Sequence, residues 1–134
     1  MTSDSTPIIR ARDVMRPGIV SIDGMATAKE AAEKMRKENV AYLLVEKRNS
    51  DDAWGILAVR DLIKGVTIAG RPSTDVNVYE IMTKPIITVP ADMNTRYVAR
   101  LIFQAGIGRA PVEDAGQIVG MVSLYSLVLD NEFF

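Results

Sequence analysis

An internal repeat with a spacing of 67 residues constrains the fold of this 134-residue chain more than any other feature of its sequence. Asp13-Val14-Met15 recurs as Glu80-Ile81-Met82, and the β-branched run Ile19-Val20-Ser21-Ile22 recurs as Ile86-Ile87-Thr88-Val89. The two copies share their apolar pattern, helix caps and turns rather than identical residues. Because one copy is too small to bury a complete core, the two are expected to pack against each other.

Each copy predicts the element order β-α-β-β-α. Thr27 and Glu30 form a capping box at the start of a helix that ends near Glu38, and Asn94 caps the equivalent helix. The predicted fold class is therefore α/β (α+β), with two tandem β-α-β-β-α repeats packed sheet to sheet in pseudo-two-fold symmetry. The predicted divisions are an N-terminal tail at 1–9, a first repeat at 10–69, a linker at 70–76, and a second repeat at 77–134 that includes a C-terminal helix and tail.

Each repeat ends in a glycine-led segment, Gly55 to Leu62 in the first copy and Gly120 to Leu127 in the second. Both segments predict a short buried strand that leads directly into a helix. The free N–H groups and the positive dipole end of a helix N-terminus favour ligands that carry acceptors or negative charge. A hydroxyl or carboxylate at this junction can also hydrogen-bond the sugar of a ligand.

The composition excludes several classes of site. The chain has no Cys and no His, which removes disulfides, thiolate catalysis, the commonest general base and the commonest metal ligand. A net charge of −1 without a basic block argues against a nucleic-acid surface. No apolar run approaches the roughly 20 residues that a membrane-spanning helix needs, and no secretory signal is visible. These features predict a cytoplasmic protein that is not an enzyme and has no metal site, nucleic-acid partner or membrane association.

Further short motifs accompany the two glycine-led segments. They are Val14-Met15, Ile81-Met82, Ile87-Thr88-Val89-Pro90-Ala91-Asp92 and Gly108-Arg109-Ala110-Pro111-Val112. Together these segments resemble the CBS-domain pair, or Bateman module, over about residues 10–130. The resemblance implies regulatory binding of an adenosine-containing ligand in clefts between the two halves, no catalysis, and association into dimers.

In this family a ribose is held by Ser or Thr and by an Asp three residues later, and this sequence keeps half of each pair. The first copy has Ala58 and Asp61, and the second has Ser123 and Ser126. Carried over residue by residue, the resemblance implies a first cleft of Arg16, Ser21, Val40, Ala41, Arg109, Ser123 and Ser126, and a second cleft of Thr83, Thr88, Ile107, Gly108, Ala58 and Asp61.

The two implied clefts differ in charge. Arg109 gives the first cleft a planar guanidinium, which suits a phosphate group. The second cleft keeps the acid and has no such clamp unless Arg60 or Lys84 supplies one. The first cleft is therefore predicted to take a phosphorylated nucleotide and the second an uncharged adenosine moiety.

The same residues also have purely structural interpretations. Asp61 suits a helix N-terminus, Ser123 a tight junction, and Arg109 a surface ion pair with Glu113 or Asp114. The sequence predicts a stand-alone regulatory module that requires no cofactor, binds AMP, ADP, ATP or another adenosyl ligand, forms a homodimer and signals to an unknown protein target. The alternative is a ligand-free dimerisation and protein-interaction module. The aromatic pair Phe133-Phe134 is predicted to dock on the partner subunit.

Overall fold

The leading segment of each repeat packs into the structural unit that is built mainly from the other repeat. In the computed structural model, which describes residues 7–134, one unit consists of residues 7–19 together with Ile87–Phe134, and the other of Val20–Ile86. Residues 1–6 of the predicted N-terminal tail lie outside the described residues.

The described residues form a mixed α/β fold, in which each repeat has the predicted order β-α-β-β-α. The elements are, in chain order, α1 (Ala11–Val14), β1 (Arg16–Pro17), β2 (Ser21–Ile22), α2 (Ala28–Glu38), β3 (Tyr42–Val45), β4 (Gly55–Ala58), α3 (Val59–Leu62), a π-helical segment (Ile63–Ile68), a 3-10 turn (Ser73–Asp75), α4 (Val78–Ile81), β5 (Val89–Pro90), α5 (Thr95–Ala105), β6 (Arg109–Asp114), β7 (Gln117–Ser123) and α6 (Leu124–Leu129).

The two units contain one sheet each. In the unit of Val20–Ile86 the strand order is β2-β3-β4, with β2 parallel and β4 antiparallel to β3. In the other unit the order is β1-β7-β6-β5, with β5 parallel to β6 and both β1 and β6 antiparallel to β7. β2 and β5 are each two residues long. They are shorter than the four-residue runs at 19–22 and 86–89 predict.

The predicted caps of the long helices are confirmed. The Thr27 hydroxyl accepts from the Glu30 N–H at 3.1 Å, and the Glu30 carboxylate accepts from the Thr27 N–H at 2.9 Å. Hydrogen bonds from the Thr27 backbone and hydroxyl hold the pKa of Glu30 below its usual value. At the other helix ends, Asn39 and Gly106 take the left-handed conformation with φ of 55° and 68°, as expected for residues that stop a helix.

Each unit has its own apolar core. In the unit of Val20–Ile86 the core joins the inner face of α2 to β3 and β4, and Val78 of α4 is buried within it. In the other unit Ala11 and Val14 of α1 are buried among residues of α5, β6 and β7. The exchanged leading segments therefore contribute to the core of the unit in which they lie.

Gly55 at the start of β4 and Gly120 within β7 permit the leading segment of each repeat to pack against the other repeat. A Cβ on Gly120 would lie 2.7 Å from the Met15 sulfur and 2.8 Å from the Arg16 carbonyl oxygen. A Cβ on Gly55 would lie 3.0 Å from the Met82 sulfur and 3.3 Å from the Thr83 carbonyl oxygen. The repeated glycine and the repeated methionine of the sequence thus face each other in both units.

Candidate functional site

The junction between β4 and α3 holds the acidic residue of the first repeat. Asp61 is half-buried, and its carboxylate accepts a hydrogen bond from the Ala58 N–H at 2.8 Å. This bond satisfies one of the N–H groups that a helix start leaves unpaired. A carboxylate has about four lone-pair sites, so a single backbone bond leaves Asp61 with further capacity to accept.

A concavity of about 370 Å³ lies beside this junction. Thr83 is held there by a reciprocal pair of backbone hydrogen bonds with Ile56, both 2.9 Å long. The structure therefore brings together Asp61 and Thr83, two residues of the second predicted cleft. The volume falls in the range of small-ligand pockets. The lining residues are Asp61, Lys64, Gly65, Glu80, Ile81, Met82 and Thr83.

The cation in this concavity is Lys64, which the sequence interpretation did not single out. Lys84, one of the two substitutes considered there, instead donates to the Asp52 carboxylate at 2.6 Å and is only 20% exposed. Lys64 follows Asp61 by three residues, and residues three apart on a helix lie on the same side. That spacing was the available signal, but the sequence does not show which face of the helix borders a cavity.

At the equivalent junction between β7 and α6, each of the two serine hydroxyls accepts a hydrogen bond from the backbone N–H of the other serine. The Ser123 hydroxyl accepts from the Ser126 N–H at 3.0 Å, while the Ser126 hydroxyl accepts from the Ser123 N–H at 2.9 Å and donates to the Ser123 carbonyl at 3.1 Å. Ser126 is fully buried. In this conformation Ser126 presents no surface to a ligand, and Ser123 is the partly exposed residue of the pair.

Two arginines flank Ser123 on one face of its sheet. Arg109 lies directly opposite Ser123 in the β6–β7 pair, and Arg16 lies opposite Met121 in the β1–β7 pair. Opposed residues of antiparallel strands share a face, as do residues two apart on one strand. Arg16 is already engaged, because its Nε donates to the Asp130 carboxylate at 3.0 Å.

Backbone bonds fix the glycine and alanine positions of the predicted clefts. The Gly108 carbonyl accepts from the Leu124 N–H at 3.1 Å, and the Ala41 carbonyl accepts from the Val59 N–H at 3.1 Å. Each bond joins the residue before the central strand of a repeat to the first residue of its last helix. Ala41 is thereby linked to the start of α3, and Gly108 to the start of α6.

The remaining predicted residues make contacts within their own structural unit. The Ser21 hydroxyl donates to the Glu46 carboxylate at 3.2 Å, and the Thr88 hydroxyl donates to the Glu113 carboxylate at 3.4 Å. The Val40 and Ile107 N–H groups donate to the last turns of α2 and α5.

The residues of each predicted cleft are divided between the two structural units. That the two groups of residues form one cleft stays a prediction. Of the first cleft, Ser21, Val40 and Ala41 belong to one unit and Arg16, Arg109, Ser123 and Ser126 to the other; of the second, Ala58, Asp61 and Thr83 belong to one unit and Thr88, Ile107 and Gly108 to the other.

Two features are absent from residues 7–134. Within that range no helix is both long enough and apolar enough to cross a membrane. In the same range no group of three or more acidic, His or Cys side chains is placed to hold a metal ion.

Sequence and structure comparisons identify the family. The sequence profile of the CBS domain matches residues 11–67 and 78–129, so the chain belongs to the CBS-domain family and carries two copies of the domain. An uncharacterized protein of Methanopyrus kandleri is 31% identical over 87% of this chain. The match spans only 59% of the length of that relative.

Solved structures share the fold. A hexameric CBS-CP12 protein from bloom-forming cyanobacteria is 32% identical, with a TM-score of 0.88 over 94% of this chain and 70% of its own. A CBS-domain pair in complex with 5′-methylthioadenosine and S-adenosyl-L-methionine has a TM-score of 0.75 and covers 90% of this chain and 94% of its own. At 24% identity, this second likeness shows the fold alone.

Proposed function

We propose that this CBS-domain pair is a regulatory module that binds an adenosine-containing ligand, requires no cofactor, and works as a homodimer that signals to a partner protein. The observation that supports this most directly is the concavity of about 370 Å³ that Asp61 and Thr83 share. Ile81 and Met82 line it together with polar residues, among them Asp61 at a helix start. A concavity with such polar groups suits a small ligand with sugar hydroxyls.

Asp61 is the proposed ribose acceptor. A ribose presents two neighbouring hydroxyl groups, and a charged acceptor makes hydrogen bonds about twice as strong as a neutral one. The bond from Ala58 orients the Asp61 carboxylate before a ligand arrives, which lowers the ordering cost of binding. The backbone of Thr83 borders the same concavity and is held by its bridge to Ile56.

The two clefts are proposed to differ in what they accept. Asp61, Glu80 and Lys64 all line the first repeat's concavity. Its two carboxylates outnumber its one cation, so an uncharged adenosine moiety is the proposed ligand there. Arg109 is the proposed phosphate partner in the other cleft, where Ser123 is the partly exposed residue beside it. The buried Ser126 removes the second ribose contact from that cleft. The cleft with Asp61 is therefore the proposed primary site.

A ligand-free interaction module is the second candidate function. The closed Ser123–Ser126 pair favours it, because this junction uses both hydroxyls for its own backbone. Ala58 favours it as well, since it offers no hydroxyl in the other repeat. Under this alternative both junctions serve only to start a helix.

A thermal-shift titration with AMP, ADP, ATP, NADH and S-adenosylmethionine, followed by calorimetry on any ligand that responds, separates the two candidates. A ligand at about 100 times its Kd adds roughly 2.7 kcal/mol to the free energy of unfolding. That gain raises Tm by several degrees for a chain of this size. The regulatory proposal expects such a shift for at least one ligand, whereas no shift from any of the five would favour the interaction module.

Two variants connect a response to its cleft. Loss of the shift in Asp61→Ala with retention in Arg109→Ala would support the cleft that contains Asp61. The reverse result would transfer the site to the cleft that contains Arg109. Retention in both variants would remove the basis of the ligand assignment.

A further inference from the structure

The structural unit of Val20–Ile86 contains a second concavity, of about 320 Å³, that is lined by residues other than those of the predicted clefts. Its walls come from the turn before α2, from the end of β3 and the loop after it, and from α4 and the segment that follows it. The volume is that of a pocket for a very small ligand. The charged and apolar side chains around it indicate which kind of ligand that is.

Two cations of this concavity, Arg48 and Lys84, are held by one buried carboxylate. The two oxygens of Asp52 accept from the Lys84 ammonium at 2.6 Å and from the Arg48 Nε at 3.2 Å. An ammonium group has three donors and a guanidinium has five, so these bonds leave each cation with further donors. We call Arg48 and Lys84 the cation pair.

Two carboxylates, those of Asp23 and Glu46, line the same concavity. Strands β2 and β3 pair in parallel, and Asp23 follows β2 as Glu46 follows β3, so both acids leave the same edge of the sheet. The Asp23 carboxylate accepts from the Met25 N–H at 2.8 Å, and the Glu46 carboxylate accepts from the Ser21 hydroxyl at 3.2 Å. A carboxylate has about four lone-pair sites, so both can accept further bonds. We call Asp23 and Glu46 the acid pair.

The other structural unit repeats the backbone of this place. The Tyr79 N–H donates to the Gly24 carbonyl at 2.9 Å. At a spacing of 67 residues, the Arg12 N–H donates to the Ala91 carbonyl at 3.0 Å. Because the backbone bonds correspond, the side chains at this place can be compared directly between the two units.

The side chains at this place differ between the units. In the unit that contains α1, the Arg12 guanidinium pairs with the Asp92 carboxylate and lies 3.8 Å from the Asp114 carboxylate. The equivalents of Arg12 and Asp92 in the other unit are Tyr79 and Met25, which are 51% and 71% exposed. A phenol ring and a thioether cannot form that ion pair, and both line the concavity. We call Met25 and Tyr79 the apolar pair.

We infer that this concavity binds a free α-amino acid with an apolar side chain. The ligand carboxylate accepts from the cation pair, the ligand ammonium donates to the acid pair, and the ligand side chain packs against the apolar pair. The lining has as many acids as cations, and Asp52 adds one more acid behind the cation pair. This balance disfavours a phosphate or any other pure anion, whereas a zwitterion satisfies both pairs.

The inference goes beyond the proposed adenosine site and does not depend on it. Met82 borders both concavities, but Asp61 and Lys64 line only the adenosine site, and the acid pair and the cation pair line only the amino-acid site. Failure of the nucleotide titration therefore leaves the inference intact, and failure of amino-acid binding leaves the nucleotide proposal intact.

Calorimetry of the full chain with L-phenylalanine, L-methionine and L-leucine tests the inference. Titration to about 10 mM detects a Kd of roughly 1 mM, and at least one of the three should bind. For the amino acid that binds, the amide derivative keeps only the ammonium charge and the N-acetyl derivative keeps only the carboxylate. Each derivative should bind at least roughly tenfold more weakly, because each loses charge-assisted hydrogen bonds to one pair. These derivatives also stand for the first and last residues of a peptide.

A double variant locates the binding. Met25→Asp with Tyr79→Arg introduces the ion pair that the other unit has at this place, so the fold should be kept. Amino-acid affinity should fall at least roughly tenfold, because the ion pair replaces the apolar pair. Phe103→Arg is the matched control, since it converts an exposed aromatic residue of the other unit to Arg and should bind like the original chain.

Glu46→Gln is a milder variant that does not depend on the new ion pair. Its amide oxygen can still accept the Ser21 hydroxyl, but the loss of charge should weaken amino-acid binding roughly tenfold, with Asp51→Asn as the control for one surface charge. No binding of any of the three amino acids would overturn the inference. A derivative that binds as tightly as its parent would overturn the zwitterion, and unchanged affinity in both Glu46→Gln and the double variant would overturn the location.

Discussion

Asp61 combines a structural task with a proposed binding task. Its carboxylate accepts the Ala58 N–H and so fixes the start of α3. The same carboxylate borders the concavity that contains Thr83 and Lys64. Because the structural bond uses only part of its accepting capacity, the two tasks are compatible and can be separated by substitution.

Asp61→Asn should separate these two tasks. The amide oxygen of Asn can still accept the Ala58 N–H, so the fold should be kept. A neutral acceptor holds a ribose hydroxyl less strongly than a carboxylate, so affinity for the adenosine ligand should fall roughly tenfold. Calorimetry measures the change, with Asp51→Asn as a control for the loss of one surface charge. Unchanged affinity would show that Asp61 serves the helix alone.

The paired methionines and glycines determine how the repeats are assembled. Met15 lies over Gly120, and Met82 lies over Gly55. The approach to Gly120 is the closer one, because an added Cβ would lie 2.8 Å from the Arg16 backbone oxygen there but 3.3 Å from the Thr83 backbone oxygen at Gly55. A backbone atom has little freedom to move away, whereas the end of a methionine side chain is flexible.

Gly120→Ala should therefore destabilise the protein by about 1–3 kcal/mol, the usual cost of overpacking. Gly55→Ala should cost less, because its nearest contact is the Met82 sulfur at 3.0 Å. Gly108→Ala meets nothing within 4 Å and should leave the free energy of unfolding unchanged or slightly raised. Chemical denaturation of the three variants gives this order. Equal stability of Gly120→Ala and Gly108→Ala would contradict the close approach.

A buried carboxylate connects the charged loop after β3 to the segment after α4. Asp52 is 8% exposed, and its two oxygens accept from Lys84 at 2.6 Å and from the Arg48 backbone N–H at 2.9 Å. The Lys84 ammonium, followed by hydrogen bonds from the Arg48 backbone and guanidinium, holds the pKa of Asp52 well below its usual range. The ionised form is therefore the one that stabilises the folded unit.

Asp52→Asn should lower the free energy of unfolding at neutral pH. Because the folded pKa of Asp52 is depressed, its contribution is fully present above the unfolded pKa of about 3.9 and is lost as the pH falls through the folded value. The stability difference between the original chain and the variant should therefore narrow below about pH 4. Urea unfolding at pH 7, 5 and 3 measures it, with Asp51→Asn as control. A difference that is constant with pH would contradict the role of the ionised carboxylate.

At the level of elements, the ends of the helices could be predicted from neighbouring residues in the sequence. Thr27, Asn39 and Gly106 predict their helix ends because capping depends on adjacent residues alone. β2 and β5 are shorter than the four-residue runs in the sequence predict, since pairing with a neighbouring strand decides where a strand ends. The second half of the predicted helix after Asp61 is π-helical rather than α-helical.

Contacts between distant segments account for what could not be predicted. The recurrence of Met15 and Met82 was visible, but their approach to glycines of the other repeat depends on tertiary packing. The Ser123 and Ser126 pair has the spacing of a ligand motif and the spacing of a helix cap, and the sequence alone leaves both readings open. The place of Lys64 in the candidate site could not be predicted, because the sequence does not show the cavity beside its helix.

At the scale of the whole molecule, the proposed ligand site adjoins exposed apolar side chains. Asp61 lies between Val59 and Ile63 in sequence, and these two residues are 47% and 45% exposed. A ligand held by Asp61 would order the start of α3. The second copy of the proposed homodimer would then lose less conformational freedom on docking, which is a route to positive coupling between the two events.

Coupling of this kind has to be reciprocal, because it is a single free energy shared by two binding events. If the ligand tightens the dimer by a given factor, the dimer must bind the ligand more tightly by the same factor. We expect a factor of at least about 5, the lower end of typical allosteric coupling. Sedimentation equilibrium with and without saturating ligand measures it from one side, and calorimetry at protein concentrations above and below the Kd of the dimer measures it from the other.

Asp61→Asn is the control, because its expected loss of ligand affinity should also remove the effect of the ligand on dimerisation. Two equal factors well above 1 would mean that ligand binding alters the assembled state of the molecule, which a partner protein can detect. A factor of 1 from both sides would mean that the dimer and the ligand site are independent, because a ligand without differential affinity shifts no equilibrium. Any signal would then have to reach a partner protein without a change in the dimer.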